Sequence, residues 1–468
     1  MSRNNINRRK FISDLTKTGI GLSTFSTLGG LNLLQGASLF NSDIYAPSAD
    51  YKVLVCLFLH GGNDSYNMLV PLGNEYNTYA KTRTNLAIPD TDLLEIRPTN
   101  TGGKRYGLHP GMPELQKLFN KRKAAFLANI GTLIQPVTPQ QVEDESVPLP
   151  LGLFSHLDQA IEWMTASPHK RVLKGWGGKI ADRLTSLNPD NNISMNFSLS
   201  GTNTFQQGLS TIEFSVNPYS NNYGFRNYGE NEYSSYWTDY THTIDSFLER
   251  TYKDPFKQTY INTLKDARDS YLTFGEAMKQ TEEVTVEFPQ NYLGNSFKRV
   301  ARIIKANQLL GFKRQIFYIG YGGWDNHDEL LDNHRTLLEA VDTSIGAFYR
   351  ALEEINAADN TVLFSMSEFG RTLTSNGNGT DHAWAGNSFV VGGNVNGKKI
   401  YGEYPSLDLQ NEELIFRETL IPTRSTDEYF AELAKWFGAG NSDINEIFPN
   451  LSNFHDINSG LPFGFLNV

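Results

Sequence analysis

A single cysteine, Cys56, is all that the 468 residues contain. An internal disulfide is therefore excluded. Cys56 lies in the apolar run Val53-Leu54-Val55-Cys56-Leu57-Phe58-Leu59, where a cysteine acts as a small buried hydrophobe rather than a reactive thiol. Positive charge is also in deficit: 41 Lys and Arg against 51 Asp and Glu leave a net charge of -10. That balance excludes a general attraction to nucleic acid or anionic lipid. Missing as well are a P-loop, a G-x-S-x-G nucleophile elbow and a dinucleotide fingerprint, which sets aside those routes to phosphate binding and acyl transfer. No internal repeat, coiled coil or low-complexity tail breaks the chain. Its 39% hydrophobic and 20% charged residues are those of an ordinary globular protein.

What is present begins at the N-terminus. Asn7-Arg8-Arg9-Lys10-Phe11-Ile12 sets an arginine pair before Phe and Ile, and residues 14–40 are then weakly apolar and nearly uncharged. This order of regions predicts a twin-arginine export signal over residues 1–49. The apolar part is too rich in Gly, Ser and Thr for a membrane span, which needs about 20 strongly apolar residues. Cleavage near Ala37, cleavage after Ala49 and retention as an anchor all stay open. The expected partner is the twin-arginine translocase, and the expected destination is the periplasm or the outside of the cell. Proteins taking that route fold before crossing, often around a cofactor, which hints at a bound metal.

Fold reasoning therefore starts near Asp50, and the remaining chain is long enough for a large core. Short, nearly continuous apolar runs occur at 51–60, 124–131, 193–199, 315–321, 361–366 and 388–393. Such runs predict strands buried on both faces. Helical periods lie between them at 111–123, 155–167, 296–310 and 333–357. In the last, Leu337, Leu338, Val341, Ile345, Phe348 and Leu352 recur in steps of three and four. Alternating strands and helices predict an α/β fold, a mainly parallel sheet sandwiched by helices. Residues 215–290, dense in Tyr, Asn and Ser and then helical, read as an insertion within the 50–468 domain.

In open α/β sheets, ligands gather beyond the carboxyl ends of the strands. Four polar clusters fall at such positions: His60-Gly61-Gly62-Asn63-Asp64, Gly322-Gly323-Trp324-Asp325-Asn326-His327, Ser367-Glu368-Phe369-Gly370-Arg371-Thr372 and Gly379-Thr380-Asp381-His382. Together they offer Asp64, Asp325, His327, Glu368 and His382 as metal ligands. Carboxylate oxygen with imidazole nitrogen suits Zn, Mn or Fe, and Mg or Ca less well. Each has a plainer reading: a strand-end Asp caps a helix or closes a turn, His382 is a loop histidine, and Asp325 with Asp328, Glu329 and Asp332 forms a solvated acidic face. It is not an EF-hand loop, because the spacing and central Gly are absent. A fifth cluster, Phe154-Ser155-His156, opens a predicted helix. Ser155 is a natural N-cap there, or a nucleophile beside the positive helix end and an adjacent metal. His156 would then orient it or serve as a ligand.

Beyond these clusters the sequence resembles a bacterial family, the domain of unknown function 1501, itself similar to a branch of the alkaline phosphatase and sulfatase superfamily. The stretches that carry the resemblance are FLHGGND (58–64), GLHPGMPEL (107–115), LFSHLDQAIEWM (153–164), GGWDNHDEL (322–330), SEFGRT (367–372), GTDH (379–382), STDEYFAELAKWFG (425–438) and EIFPNLSNF (446–454). They run in order over residues 51–455. The resemblance implies an alkaline-phosphatase-like α/β/α sandwich with two metal sites and a nucleophile on the helix after the second strand. Carried over, Asp64 matches the first-strand metal carboxylate, Ser155 approximates the nucleophile, Asp325 and His327 resemble an Asp and His metal pair, and His382 matches the late His. Glu368 stands where the superfamily has Asp, and Phe369 where it has a metal-binding His. A phenyl ring binds no metal, so one divalent ion is expected rather than two. The C-x-P-x-R signature is absent, which argues against formylglycine chemistry.

These readings converge on an exported metal-dependent hydrolase of phosphate or sulfate esters. Ser155, His156 and Arg371 would be catalytic, with Arg371 pairing the oxyanion. A small anionic ester or a glycan is the expected substrate class. The alternative is a non-catalytic periplasmic binding or assembly protein on a degenerate phosphatase-like fold, working with another exported protein. Phe369 and the aromatic insertion favour that alternative.

Overall fold

The computed structural model describes residues 50–188, 193–220, 228 and 235–467. The export signal read over residues 1–49 lies outside them. Nine strands build the main sheet: β1 Lys52–His60, β2 Ala124–Gly131, β3 Asn196–Ser198, β4 Phe214–Ser215, β5 Arg314–Gly322, β6 Thr361–Met366, β7 Gly386–Gly392, β8 Ile400–Tyr401 and β9 Arg424–Ser425. Their order is β8-β2-β7-β6-β1-β5-β3-β4, with β9 also paired to β2. The central strands are the apolar runs of the sequence. Seven successive residues of β1, Val53 to Leu59, are buried, as a strand covered on both faces requires.

The pairing is parallel at β1 with β5 and with β6, at β5 with β3, and at β2 with β8. One strand runs the other way. β7 is antiparallel to both β6 and β2, so the expected mainly parallel sheet is mixed by a single reversed member. The reason is local: the chain leaves β6 and returns through residues 367–385 without the crossover helix that a parallel return demands.

Helices flank the sheet. They include α1 Pro113–Asn120, α2 His156–Thr165, α3 Trp176–Leu184, α4 Ser235–Leu248, α5 Pro255–Gln280, α6 Tyr292–Leu310, α7 Leu330–Glu354 and α8 Thr426–Phe437. On one face Trp176 stacks on Phe430 of α8 at 4.7 Å and meets Phe364 of β6 at 5.6 Å. Elsewhere α6 and α7 pair through Phe297 and Phe348 at 5.0 Å, and α1 sets Phe119 on Phe126 of β2 at 5.9 Å. The long helices α4 and α5 lie within residues 215–290. Among the described residues no helix is long and apolar enough to cross a membrane.

Candidate metal centre

The carboxyl ends of β1, β5 and β6 lie side by side, with His60 in register with Gly322 and Phe58 with Met366. Loops leaving these ends therefore meet above the sheet edge. Gly61 makes the meeting close: at φ 126°, a Cβ there would stand 2.4 Å from the Asp325 nitrogen, so only glycine lets the two loops touch. The β6–β7 segment folds back as a hairpin, with an antiparallel bridge between Arg371 and His382. Gly379 lies so near His327 that a Cβ would come within 2.3 Å of its carbonyl carbon. These contacts bring residues 325–327, 368–371 and 379–382 together.

Helix α2 delivers the remaining part. Ser155 is its N-cap, its side chain accepting from the Asp158 amide at 3.4 Å. Phe154 just before it holds φ 72°, a left-handed conformation uncommon outside glycine. Its carbonyl accepts a hydrogen bond from His382 Nδ1 at 2.7 Å. His156, the first helical residue, reaches into the group.

Three imidazoles share one arrangement. His382 Nδ1 donates to the Phe154 carbonyl, His156 Nδ1 to Glu368 Oε1 at 2.9 Å, and His327 Nδ1 to Asp381 Oδ1 at 3.0 Å. Glu368 Oε1 also accepts from the Gly61 amide at 2.7 Å, and Asp381 Oδ1 from Asn376 at 3.1 Å. Both oxygens are thus acceptors, which places the ring protons on Nδ1 and the lone pairs of neutral rings on Nε2. All three Nε2 atoms face Asp325. Its Oδ1 lies 3.1 Å from His327 Nε2 and 3.2 Å from His382 Nε2, and its Oδ2 lies 3.4 Å from His156 Nε2.

A metal fits this donor set. His327 Nε2 and His382 Nε2 are 3.0 Å apart, a separation at which two bare lone pairs repel. A cation shared with Asp325 Oδ1 removes that conflict. The spacing of these three atoms is close to the edge of a tetrahedron about 3.3 Å long, which follows from metal–ligand bonds near 2.0–2.1 Å. Ligand atoms of His156, Asp325 and His382 also lie within 4.8 Å of one another. Anchoring the far ring nitrogen on carboxylate or carbonyl is how proteins hold metal-binding histidines.

The electrostatics differ from ring to ring. The hydrogen bond to Glu368, followed by the charges of Glu368 and Asp325, raises His156 above the ordinary histidine value. Burial lowers His382 below the ordinary histidine value. Burial would raise Asp325, but the hydrogen bond and charge of Arg371, with His327 and His156, hold it below the usual carboxylate range. Hydrogen bonding from Asn376, then from His327, lowers Asp381.

A family model described as a protein of unknown function, DUF1501, matches residues 51–425. The chain belongs to this family. No curated protein matches it. Solved structures similar to this DUF1501 chain include Ps i-CgsB in complex with k-i-k-neocarrahexaose, at 10% identity over 86% of this chain and 77% of that one, with a TM-score of 0.37. Others are the PsFucS1 sulfatase from Pseudoalteromonas sp., at 9% identity over 84% and 68%, TM-score 0.33, and the lipoteichoic acid synthase LtaP from Listeria monocytogenes, at 10% over 82% and 76%, TM-score 0.29.

In this DUF1501 chain the site residues expected from sequence divide. Asp325, His327, His382, Glu368, His156 and Arg371 come together. Asp64 does not join them: it is buried in an ion pair with Arg83, because the tight turn after β1 aims its side chain at the helix Asn74–Arg83. Arg371 is present in a different capacity. Its Nη1 donates to Asp325 Oδ1 at 2.9 Å and to the Gly61 carbonyl, and Nη2 and Nε are engaged by Thr380. With the side chain 0% exposed, it orients Asp325 and has no face left for an oxyanion. Ser155 Oγ accepts from the Asp158 amide as the helix cap, and the Ser155 side chain also hydrogen-bonds the Asp158 carboxylate. Phe369 is buried against His156 and His382, with ring centroids 4.9 and 4.7 Å away. Sequence reading missed Asp381 and the Phe154 carbonyl. Adjacency to His382 was a signal for Asp381; a backbone carbonyl leaves none.

Proposed function

We propose that this chain is an exported, metal-dependent hydrolase of ester bonds, the phosphate and sulfate esters being the class its family resemblance implies. One observation carries the reading: three imidazoles, each fixed through Nδ1, present Nε2 to a single carboxylate. Asp325, His327 and His382 would hold a divalent ion with His156 at its side, and Zn, Mn or Fe suit these donors best. When bound, such an ion supplies Lewis acidity, polarising the scissile group and acidifying water. The residues around it do the positioning. Arg371 fixes Asp325, Glu368 fixes His156, the Phe154 carbonyl fixes His382, and the Phe369 ring keeps water from the buried side. Water is the attacking group in this reading, with Ser155 serving as the helix cap.

The test is elemental analysis of the mature protein, followed by a screen of ester hydrolysis. About one transition-metal ion per chain, with hydrolysis lost in His382→Ala, supports the proposal. A metal-free, folded and inactive protein overturns it. The export part is checked separately by fusing residues 1–49 to a reporter. Replacing Arg8 and Arg9 by lysine should stop its translocation, and unchanged export would remove the twin-arginine assignment. A second reading, a non-catalytic binding or assembly protein, is favoured by the apolar surface of the α5 end, where Phe256 is 87% and Tyr260 64% exposed.

A further inference from the structure

Helices α4 and α5 pair as an antiparallel hairpin, with Asp245 meeting Arg268 at 3.0 Å and Glu249 meeting Lys265 at 3.3 Å. Only one end of α5 is anchored in the core. Phe274, Ala277 and Met278 are buried there, and Arg302 of α6 donates to the Met278 carbonyl at 2.7 Å. Between Pro255 and Asp269 no side chain of α5 is buried, which leaves about 22 Å of helix beyond the core. The turn joining the two helices is nevertheless fixed. Asp254 caps α5, accepting from the Phe256 and Lys257 amides at 2.9 and 3.2 Å, and the Tyr252 amide donates to Gln258 Oε1 at 2.7 Å.

This fixed tip holds large apolar side chains in the open. Phe256 is 87% exposed, Tyr260 64% and Phe247 43%. With Tyr252, Lys257 and Ile261, Phe256 and Tyr260 line an open hollow of about 390 Å³. Cations stand among the rings. Arg250 lies over the Phe247 ring at 4.7 Å, and Lys253 and Lys257 are exposed. The two carboxylates of the tip are both engaged, Glu249 with Lys265 and Asp254 in the α5 cap. Among the described residues Arg250, Lys253 and Lys257 meet no carboxylate, so the tip is locally positive on a chain of net charge -10.

We infer that the α4–α5 tip docks on an anionic lipid bilayer. Exposed rings beside free cations suit that boundary: the rings settle between headgroups and acyl chains, and the cations meet headgroup phosphates. Shape points the same way. A groove that receives a partner helix is concave and apolar, whereas this surface is the convex end of a hairpin, flanked by charge. The net charge of the whole chain gives no general attraction to such a bilayer, so binding falls to this one end. Lipid binding at the tip stands outside the hydrolase reading and needs no activity at the metal centre.

A chain that begins at Asp50 holds every described element of the fold and keeps the apolar residues before it out of the assay. It is mixed with vesicles of phosphatidylcholine, alone or with phosphatidylglycerol added, and bound protein is measured by sedimentation. Binding is expected to the mixed vesicles, weakening with salt, and little to phosphatidylcholine alone. Phe256→Ala should weaken it by about tenfold through lost apolar burial, and Lys257→Gln by about fivefold. Tyr260→Ala and Lys253→Gln repeat both comparisons at neighbouring exposed positions, with thermal midpoints checking that each variant is folded. Binding that ignores phosphatidylglycerol, or that is unchanged in all four folded variants, overturns the inference. Absence of vesicle binding overturns it too, and a dimer dissociated by Phe256→Ala in sedimentation velocity would then assign the tip to a second copy of this chain.

Discussion

Every histidine of the centre is held by the nitrogen that faces away from Asp325, so each ring is fixed by the protein alone. Loss of a supporting group should therefore weaken metal binding without removing a ligand. Asp381→Asn is expected to lower metal affinity by about 10–100-fold, measured by competition with a chelating dye, whereas His382→Ala should abolish stoichiometric binding. An unchanged affinity in Asp381→Asn would show that His327 is not oriented through Nδ1. Ser155→Ala offers the opposite contrast. It should cost about 1 kcal/mol of stability through the lost cap and leave hydrolysis largely intact; a collapse of activity in a stable protein would return the nucleophile role to Ser155.

At the scale of elements, helix α1 is begun by another helix. Asp342 of α7 accepts from the amides of Glu114 and Leu115 at 2.9 and 2.7 Å, satisfying donors that a helix start leaves open. Asp342→Ala should destabilise the protein by about 1–3 kcal/mol, with amide exchange rising first in residues 113–120. The sequence shows why α7 was legible and this cap was not. Leu338, Val341, Ile345 and Leu352 repeat at the helical period, but nothing local ties Asp342 to a residue more than two hundred positions earlier. The central strands were legible for the same reason as α7, since a run such as Thr361–Met366 has to be buried on both faces. The short edge strands β8 and β9 carry two residues each and no pattern. The reversal of β7 was equally hidden, because direction depends on the connection and not on the strand's own composition. In the site, residue types at strand ends pointed to the loops that meet, while the diversion of Asp64 to Arg83 depended on a turn geometry that composition does not specify.

For the molecule as a whole, buried carboxyls set the response to pH. Burial pushes Asp427 up to about 8 and Glu162 up to about 9. A backbone hydrogen bond from Asn450 opposes the rise at Asp427 without overcoming burial. A raised carboxyl pKa means that the folded state keeps a proton the unfolded chain has released. Stability from these groups is therefore full below about pH 4 and is lost as pH rises toward 8 or 9. Growing negative charge on an already acidic chain adds to the loss. Asp427→Asn should raise stability by about 2–4 kcal/mol near pH 7, with the gain vanishing near pH 4, as read from denaturant midpoints at each pH. A gain independent of pH would mean that Asp427 is ionised in the fold. The C-terminus is tied down by another buried carboxyl, Glu432, which accepts from Phe463, Gly464 and Leu466 at 2.8–2.9 Å.

The reversed strand β7 has one more consequence. Because it descends beside β6, the segment that leaves one strand and enters the other is anchored at both ends on the same sheet edge. Glu368, Arg371, Asp381 and His382 thus travel on a single detachable cassette, while Asp325 and His327 arrive on a separate loop. A lineage can lengthen, shorten or exchange the tip of that cassette without re-threading the sheet. Chemistry at this edge is free to diverge faster than the architecture beneath it.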